Sequence, residues 1–310
     1  MAKVTILGTG MVGASYAYRL LGSGLASEIV LVDANRERAE GEMMDLNHAM
    51  PFDKPCQIIV GSYEEMAGSD IIVISAGSAQ RPGETRLDLV SRNTAIFKNL
   101  IPQVAQAAPE AVLIIATNPV DIMTQAAIAY SGFRPGQVIG SGTVLDTARF
   151  RYLLGQYYQV DPRSVHAYII GEHGDSEVPV FSTASIAGIS LPDICRQQGR
   201  DYNQPDMDQI YQQVRNAAYE IIKRKGSTYY AIASGLHRIS EAVLRDQDTV
   251  FSVSNTLTGQ YGVSEVCLSL PMIVNRQGIS KILTLPLNPE EQAGFERSAG
   301  ILKQLASQTI

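Results

Sequence analysis

The sequence predicts an α/β protein: a doubly wound parallel sheet in the N-terminal half, followed by a smaller α+β domain. Through the first 142 residues, short and almost continuously apolar runs alternate with longer segments of helical pattern. This alternation is typical of parallel strands that are covered on both faces by helices. After Gly142 it stops, and a long helical pattern is followed by short, widely spaced strand-like runs. We therefore expect two domains, at residues 1–142 and 143–310.

Five runs in the first half have the length and apolar composition of buried strands. They are Val4–Leu7, Ile29–Val32, Ile58–Val60, Ile71–Ile74 and Val112–Ala116. The helical patterns between them lie at Val12–Leu21, Arg36–Leu46 and Leu87–Gln106. In the second half we expect a helix over Leu145–Tyr158, short strands around His166–Gly171 and Ile279–Leu285, and further helices.

The composition of the 310-residue chain narrows the classes of function. The formal net charge is −6 and the basic residues are scattered, which argues against nucleic-acid or membrane-surface partners. No apolar run approaches the roughly 18 residues of a membrane span, and no charged-then-apolar leader opens the sequence. Cys56, Cys195 and Cys267 lie far apart, in no metal-ligand spacing. We expect a cytoplasmic protein without a metal site.

A glycine motif follows the first predicted strand directly. Gly8, Gly10 and Gly13 form Gly-x-Gly-x-x-Gly between a strand and a helix. In this context the glycines allow a tight turn, close approach of a pyrophosphate and close helix–strand packing, while the helix N-terminus binds phosphate. Asp33 ends the next strand, where a carboxylate binds the adenosine ribose and repels a 2′-phosphate. The sequence therefore predicts a Rossmann domain that binds NAD rather than NADP.

One of the four histidines is a candidate acid/base. His173 lies in a polar, glycine-flanked loop after an apolar run, and a histidine there can exchange a proton with a pKa near neutrality. His48 and His237 lie in helical patterns, where we expect capping or solvent-exposed roles. His166 begins a predicted strand.

Asp146 and Arg149 lie three residues apart in a predicted helix and so share one face. A surface ion pair is the ordinary explanation, but the apolar neighbours of the two residues indicate burial. In a buried site Asp146 would orient a histidine, and Arg149 would bind a carboxylate through its guanidinium.

The segment 76–86 follows the predicted strand at 71–74, at the carboxyl edge of the sheet where doubly wound folds bind ligands. Its glycine, proline and charged residues fit a mobile lid that delivers Arg86 on closure. The same composition fits an ordinary solvated loop equally well.

Together these segments resemble the L-lactate and malate dehydrogenase family over essentially the whole chain. The motifs that carry the resemblance are GTGMVG at 8–13, AGSAQRPGETRLDLVSRN at 76–93, ATNPVD at 116–121, GSGTVLDTARFR at 140–151, GEHGDSEVP at 171–179 and KGSTYYAIA at 225–233. Within the family, the sequence is most similar to the bacterial L-lactate dehydrogenases. The resemblance implies reversible hydride transfer between NADH and pyruvate, giving L-lactate at the fermentative end of glycolysis.

The resemblance also implies a role for each matching residue. His173 would exchange the proton, Asp146 would orient it, and Arg86 would polarise the carbonyl in the transition state. The implied substrate-binding residues are Gln80, Arg86, Asn118, Arg149 and Thr228. The implied cofactor contacts are Gly8, Gly10, Met11, Val12, Gly13, Asp33, Arg38, Tyr63, Gly77, Thr117, Asn118 and Ser141.

Gln80 separates two substrates. The malate dehydrogenases of the family have an arginine here, which neutralises the second carboxylate of oxaloacetate. A neutral glutamine would leave that carboxylate buried without a countercharge, so we expect pyruvate rather than oxaloacetate. A one-residue shift of the loop would present Arg81 instead and favour malate dehydrogenase. The other alternative, a catalytically silent NAD-binding protein, gives no reason for the set of charged residues assigned above.

Arg151 and His166 raise the question of regulation. Arg151 follows Arg149 by two residues and so points away from the substrate face. The ordinary explanation is a solvated helix arginine and a strand-edge histidine. In bacterial members of the family that fructose 1,6-bisphosphate activates, however, an arginine and a histidine at these places form an anion site between subunits. The resemblance therefore implies such a site, and a homotetramer in which the 45–51 region and the second-half helices supply contact surface.

Overall fold

The first half of the chain forms the parallel part of one large sheet. The computed structural model describes residues 2–78 and 86–309, without the side chain of Arg86. The strands of this half are β1 (Lys3–Leu7), β2 (Glu28–Val32), β3 (Gln57–Val60), β4 (Ile71–Ile74), β5 (Val112–Ile115) and β6 (Val138–Gly140). Its α-helices are α1 (Met11–Ser23), α2 (Arg36–Ala49), α3 (Arg86–Ala107) and α4 (Val120–Ser131). The strands pair in parallel in the order β3-β2-β1-β4-β5-β6. This is the doubly wound order of dinucleotide-binding domains, so the predicted fold class is confirmed.

The predicted strands form because their side chains are apolar on both faces. Every residue of β4 and of β5 is buried, as expected for central parallel strands with helices on either side. Neither β6 nor α4 was predicted from the sequence. With only three residues, β6 is too short to stand out as an apolar run, yet it places Ser141 and the start of the next helix at the carboxyl edge of the sheet.

The second half extends the same sheet with antiparallel strands. Its elements are α5 (Val144–Tyr158), β7 (Val165–Ile170), β8 (Val178–Ile186), β9 (Ile189–Ser190), α6 (Leu191–Gln197), α7 (Gln204–Lys225), α8 (Tyr230–Arg245), β10 (Thr249–Thr258), β11 (Ser264–Asn275), β12 (Gly278–Ile282) and α9 (Pro289–Ala306). β10 pairs with β6, and the order β12-β11-β10-β6 completes a nine-stranded sheet. β7, β8 and β9 form a separate three-stranded sheet. Because the large sheet continues across residue 142, the two proposed domains share it.

The long strands β10 and β11 correct the sequence analysis, which expected only short strands and helices in this region. Their pattern was hidden because polar side chains lie inside the sheet. Ser252 Oγ donates a hydrogen bond to Ile169 O at 2.7 Å, and Asn255 Nδ2 donates to Val138 O at 2.7 Å. These bonds satisfy the buried polar groups but interrupt the apolar pattern. The strand expected at 279–285 ends earlier, at Ile282, the last residue of β12.

Helix α5 is fixed in place by its apolar side chains. Phe150, Leu154 and Tyr158 are fully buried in a second core that lies apart from the main core of the large sheet. Burying each large side chain contributes about 1.5–3 kcal/mol. The polar residues of the same helix are thereby held at a fixed position beside β7. Within the part of the chain that the structure describes, no helix is long and apolar enough to cross a membrane.

Candidate active site

The loop that carries His173 is anchored through its backbone. This histidine loop, residues 171–177, connects β7 to β8. The N–H of Glu172 donates to Ser298 Oγ on α9 at 2.8 Å, and the N–H of His173 donates to Asp121 Oδ2 on α4 at 2.8 Å. Two consecutive peptide groups are therefore held by side chains from the two halves of the chain. Asp121 was not predicted from the sequence as a site residue, although it is the last residue of the ATNPVD motif.

Asp146 joins the histidine to an arginine. Its Oδ2 lies 2.5 Å from His173 Nδ1, and its Oδ1 accepts a hydrogen bond from Arg149 Nη1 at 2.8 Å. The side chains of Asp146 and Arg149 are 4% and 13% exposed, and that of His173 is 27% exposed. The ion pair is therefore buried rather than a surface pair. Since Asp146 occupies Nδ1, the other ring nitrogen, Nε2, is the one left for a substrate.

The charges around His173 favour its protonated form. Burial alone would lower the pKa of His173, but Asp146, Asp121 and Glu177 raise it to about 9. Burial opposes ionisation of Asp146, yet His173 and Arg149 keep the pKa of that carboxyl below its ordinary value. The near-neutral pKa expected from the sequence is thus too low for the free protein. The reason is that Asp121 and Glu177 add to the charge of the predicted partner, Asp146.

An asparagine of α3 joins the ends of two neighbouring strands. Asn93 Oδ1 accepts from Ser78 N at 2.8 Å, and its Nδ2 donates to Asn118 O at 2.8 Å. Thr117 Oγ1 donates to Ala76 O at 2.7 Å. These bonds connect the segments that follow β4 and β5, at the carboxyl edge of the sheet. Asn93 was not predicted from the sequence, where its only signal is that a polar residue lies within the 76–93 motif. Its side chain is completely buried.

Part of the predicted substrate site lies outside the described residues. This applies to Gln80, to the competing Arg81 and to the side chain of Arg86, which is the first residue of α3. Thr228 is half-buried in the connection between α7 and α8. Their roles stay predictions.

The glycine motif is built as a dinucleotide site requires. Gly8 has a φ of +95°, a conformation that favours glycine, and a Cβ at Gly13 would lie 1.9 Å from Gly8 O. A Cβ at Gly10 would meet nothing within 4 Å, so the internal packing does not require a glycine at that position. Gly10 is the N-cap residue of α1, and no side chain caps the helix there. The open space beside free helix N–H groups fits a phosphate group.

Asp33 is held in its ionised form next to this motif. Its Oδ2 accepts hydrogen bonds from Thr9 N at 2.6 Å and Thr9 Oγ1 at 3.0 Å, and its Oδ1 accepts from Asn35 N at 2.9 Å. Burial opposes ionisation, but these bonds and the charge of Arg38 lower the pKa of Asp33. A carboxylate at this place fits a ribose with a free 2′-hydroxyl.

The remaining predicted cofactor residues lie at the same edge of the sheet or on α1 and its neighbours. Met11 is exposed, Val12 and Tyr63 are half-buried, Gly77 is exposed and Ser141 is buried. A contact between these residues and a cofactor stays a prediction.

His237 corrects one expectation. It is 5% exposed on α8, and neither ring nitrogen has a hydrogen-bond partner within the described ranges. Burial, together with the charge of Arg19, lowers its pKa. The expected capping or solvent-exposed role is therefore wrong, because this face of α8 packs against α1. His48, by contrast, is exposed near the end of α2.

Comparisons with known proteins agree with this geometry. The family described as lactate/malate dehydrogenase, NAD binding domain, matches residues 2–140, and the matching alpha/beta C-terminal domain covers 143–309. An L-lactate dehydrogenase of Acetivibrio thermocellus is 52% identical over 98% of this chain and 96% of its own length. One of Priestia megaterium is 50% identical over 97% and 95%. The crystal structure of a minor L-lactate dehydrogenase from Enterococcus mundtii in a ligand-bound form has a TM-score of 0.96 at 39% identity, covering all of this chain and 98% of that one. This chain therefore belongs to the lactate/malate dehydrogenase family.

Proposed function

We propose that the protein is an L-lactate dehydrogenase, which reduces pyruvate with NADH and oxidises L-lactate with NAD. The observation that carries the proposal is the buried Asp146, which contacts both His173 and Arg149. A single carboxylate thereby fixes a proton donor next to a cation suited to bind a substrate carboxylate. The relatives named above, which are L-lactate dehydrogenases, support the same reaction.

NADH, which the glycine motif and Asp33 would hold, would supply the hydride for the carbonyl carbon of pyruvate. His173, protonated at neutral pH, donates a proton from Nε2 to the carbonyl oxygen. Asp146 keeps the ring in the required orientation and stabilises its positive charge. Arg149 binds the pyruvate carboxylate through its guanidinium, and Arg86 polarises the carbonyl. In the reverse direction a neutral His173 accepts the proton of the lactate hydroxyl.

The preference for pyruvate rests on Gln80. A neutral side chain at this position gives no countercharge to the second carboxylate of oxaloacetate, which disfavours that substrate by several kcal/mol. The neighbouring Arg81 is the reason to test malate dehydrogenase as the second candidate. The experiment measures the rate of NADH oxidation with each 2-keto acid. We expect kcat/KM for pyruvate to be well above kcat/KM for oxaloacetate. Equal or better use of oxaloacetate would replace this proposal with malate dehydrogenase, and NADH binding without turnover would indicate a silent protein.

A homotetramer is part of the proposal. Several large apolar side chains of α1, α2 and α8 and of the turn after α2 are exposed in the single chain: Tyr18, Met44, Phe52 and Tyr230, from 55% to 89%. Side chains of this size could supply apolar contact area between subunits. Light scattering would measure the mass, and a monomer at micromolar concentration would contradict the tetramer. The cytoplasmic location also stays a proposal.

The anion site at Arg151 and His166 is the regulatory part of the proposal. Arg151 Nε donates to Ala167 O at 2.9 Å, and its guanidinium lies 5.0 Å from the centre of the Tyr168 ring. The arginine therefore lies along β7, and the exposed His166 belongs to the same strand. We propose that these two side chains bind a sugar bisphosphate, and that fructose 1,6-bisphosphate is the activator.

A further inference from the structure

Asp121 is a buried carboxyl group that the proposed mechanism does not use. It lies in the first turn of α4 and is 2% exposed. Its Oδ2 accepts the hydrogen bond from the backbone N–H of His173 at 2.8 Å. Asp121 thus contacts the main chain of the residue that exchanges the proton. It belongs to the first half of the chain, whereas Asp146 belongs to the second.

The second oxygen of this carboxyl group is poorly satisfied. Within the described ranges, neither Asp121 Oδ1 nor the nearby Ser254 Oγ makes a hydrogen bond of normal geometry, although the Ser254 hydroxyl acts on Asp121 and lowers its pKa. An asparagine could make the same two contacts, with its Oδ1 accepting from His173 N and its Nδ2 donating to Ser254, without burying a charge. Burying a carboxylate with an unpaired oxygen is costly. Anchoring the histidine loop therefore does not explain why the group at this position is an acid.

The charge of Asp121 does explain it. We propose that Asp121 is a positioning residue of the dehydrogenase reaction, which holds the backbone of His173 and whose negative charge favours the imidazolium. This proposal rests on the proposed function for its kinetic part, but its electrostatic part concerns His173 in the free protein and stands without turnover.

The other charged groups around His173 leave Asp121 a distinct role. From α5, the charge of Asp146 is shared with Arg149. On the histidine loop, burial raises the pKa of Glu177 to about 8, so that this carboxyl is largely protonated at neutral pH. At neutral pH Asp121 is therefore the second ionised carboxylate to act on the ring, and near pH 9, where His173 titrates, the ionised Glu177 acts together with it.

Two more charged groups belong to these surroundings. Arg215 of α7 acts on Glu177, and the carboxyl of Glu172, on the histidine loop itself, acts on Asp121. Burial raises the pKa of Asp121 to about 6, so its charge is present through the neutral and alkaline range and is lost only in acid.

The test is Asp121→Asn, which keeps the acceptor for His173 N–H and removes the charge. An imidazolium with one negative neighbour fewer is less favoured, so the pKa of His173 should fall, by roughly half a unit to one unit. Two readouts measure it: NMR titration of labelled histidine in the free protein, and the alkaline limb of kcat/KM for pyruvate. Both should move to lower pH. The Kd of NADH should stay at its wild-type value, and the melting temperature should not fall.

Ser298→Ala is the matched control. This variant removes the hydroxyl of Ser298, an uncharged group that accepts the hydrogen bond of the Glu172 N–H. It should leave the pKa of His173 unchanged. If Asp121→Asn does not fold, Asp121→Ser provides the same neutral change. A wild-type titration of His173 in the neutral variant would overturn the proposal and leave Asp121 a structural anchor. A wild-type protein that does not reduce pyruvate would overturn the proposed function instead, and the NMR titration would still decide the role of Asp121.

Discussion

His173 Nδ1 and Asp146 Oδ2 lie 2.5 Å apart, although 27 residues separate them in the sequence. The fold brings them together because α5 packs against β7, and the histidine loop begins where β7 ends. With Nδ1 held by a buried carboxylate, Nε2 has a fixed direction and the neutral ring has a fixed tautomer before a substrate arrives.

Asp146→Asn should lower kcat for pyruvate by about 10²–10⁴-fold and leave the Kd of NADH unchanged. The amide cannot stabilise the imidazolium, and it can present its N–H₂ group to Nδ1, which favours the wrong tautomer. Stopped-flow NADH oxidation and fluorescence titration of NADH measure the two quantities. Asp161→Asn is the matched control, because Asp161 forms an exposed ion pair with Arg163. Comparable kcat values for the two variants would contradict the role of Asp146.

The pH dependence of the two directions should be opposite. Pyruvate reduction needs protonated His173, whose pKa in the free protein is about 9. We therefore expect kcat/KM for pyruvate to be constant near neutrality and to fall as the pH rises through about 9. For lactate, kcat/KM should increase over the same range, because oxidation needs the neutral ring. A pyruvate profile that rises with pH would contradict the assignment of His173 as the donor.

The parallel half of the fold was predictable because most of its strands, such as Ile71–Ile74, are apolar on both faces. Such a run can be recognised in the sequence without knowing which strands it pairs with. The pattern failed for β10, where Ser252 and Asn255 are buried but bonded to carbonyl groups of distant strands. The same limit applies to the site. His173 and Asp146 carry a recognisable chemistry in the sequence. Asp121 does not, because its role depends on which backbone N–H group the fold brings to it.

Two glycines of the dinucleotide motif should respond differently to the same substitution. In Gly13→Ala the new methyl group would overlap Gly8 O, so we expect a loss of about 1–3 kcal/mol in the free energy of unfolding. In Gly10→Ala the methyl group enters open space, so the melting temperature should stay close to the wild-type value while NADH binding weakens by tenfold or more, roughly 1.4 kcal/mol. Thermal unfolding and NADH titration of both variants measure this. Unchanged NADH affinity in Gly10→Ala would show that the phosphates bind elsewhere.

Gln80→Arg should shift the substrate preference towards oxaloacetate. The new guanidinium supplies the countercharge for the second carboxylate, so the ratio of kcat/KM for oxaloacetate to that for pyruvate should rise by tenfold or more, on the scale of roughly 1.4 kcal/mol per factor of ten. Arg81→Gln is the control and should leave the ratio unchanged. If Arg81→Gln instead abolishes activity towards oxaloacetate, the neighbouring residue occupies the specificity position.

Fructose 1,6-bisphosphate should lower the KM for pyruvate, and Arg151→Gln should remove this effect. The ligand can activate only if it binds the competent state of the assembly more tightly than the other state, and Arg151, next to the strand of His166, supplies the charge for that binding. Arg163→Gln is the matched control, since Arg163 is an exposed arginine whose partner is Asp161. Pyruvate saturation curves are measured for each protein with and without the bisphosphate. We expect activation in the wild type and in the control and none in Arg151→Gln. Curves of the wild type that do not respond to the bisphosphate would leave Arg151 with its structural contacts to β7 alone, and activation that persists in Arg151→Gln would place the anion site elsewhere.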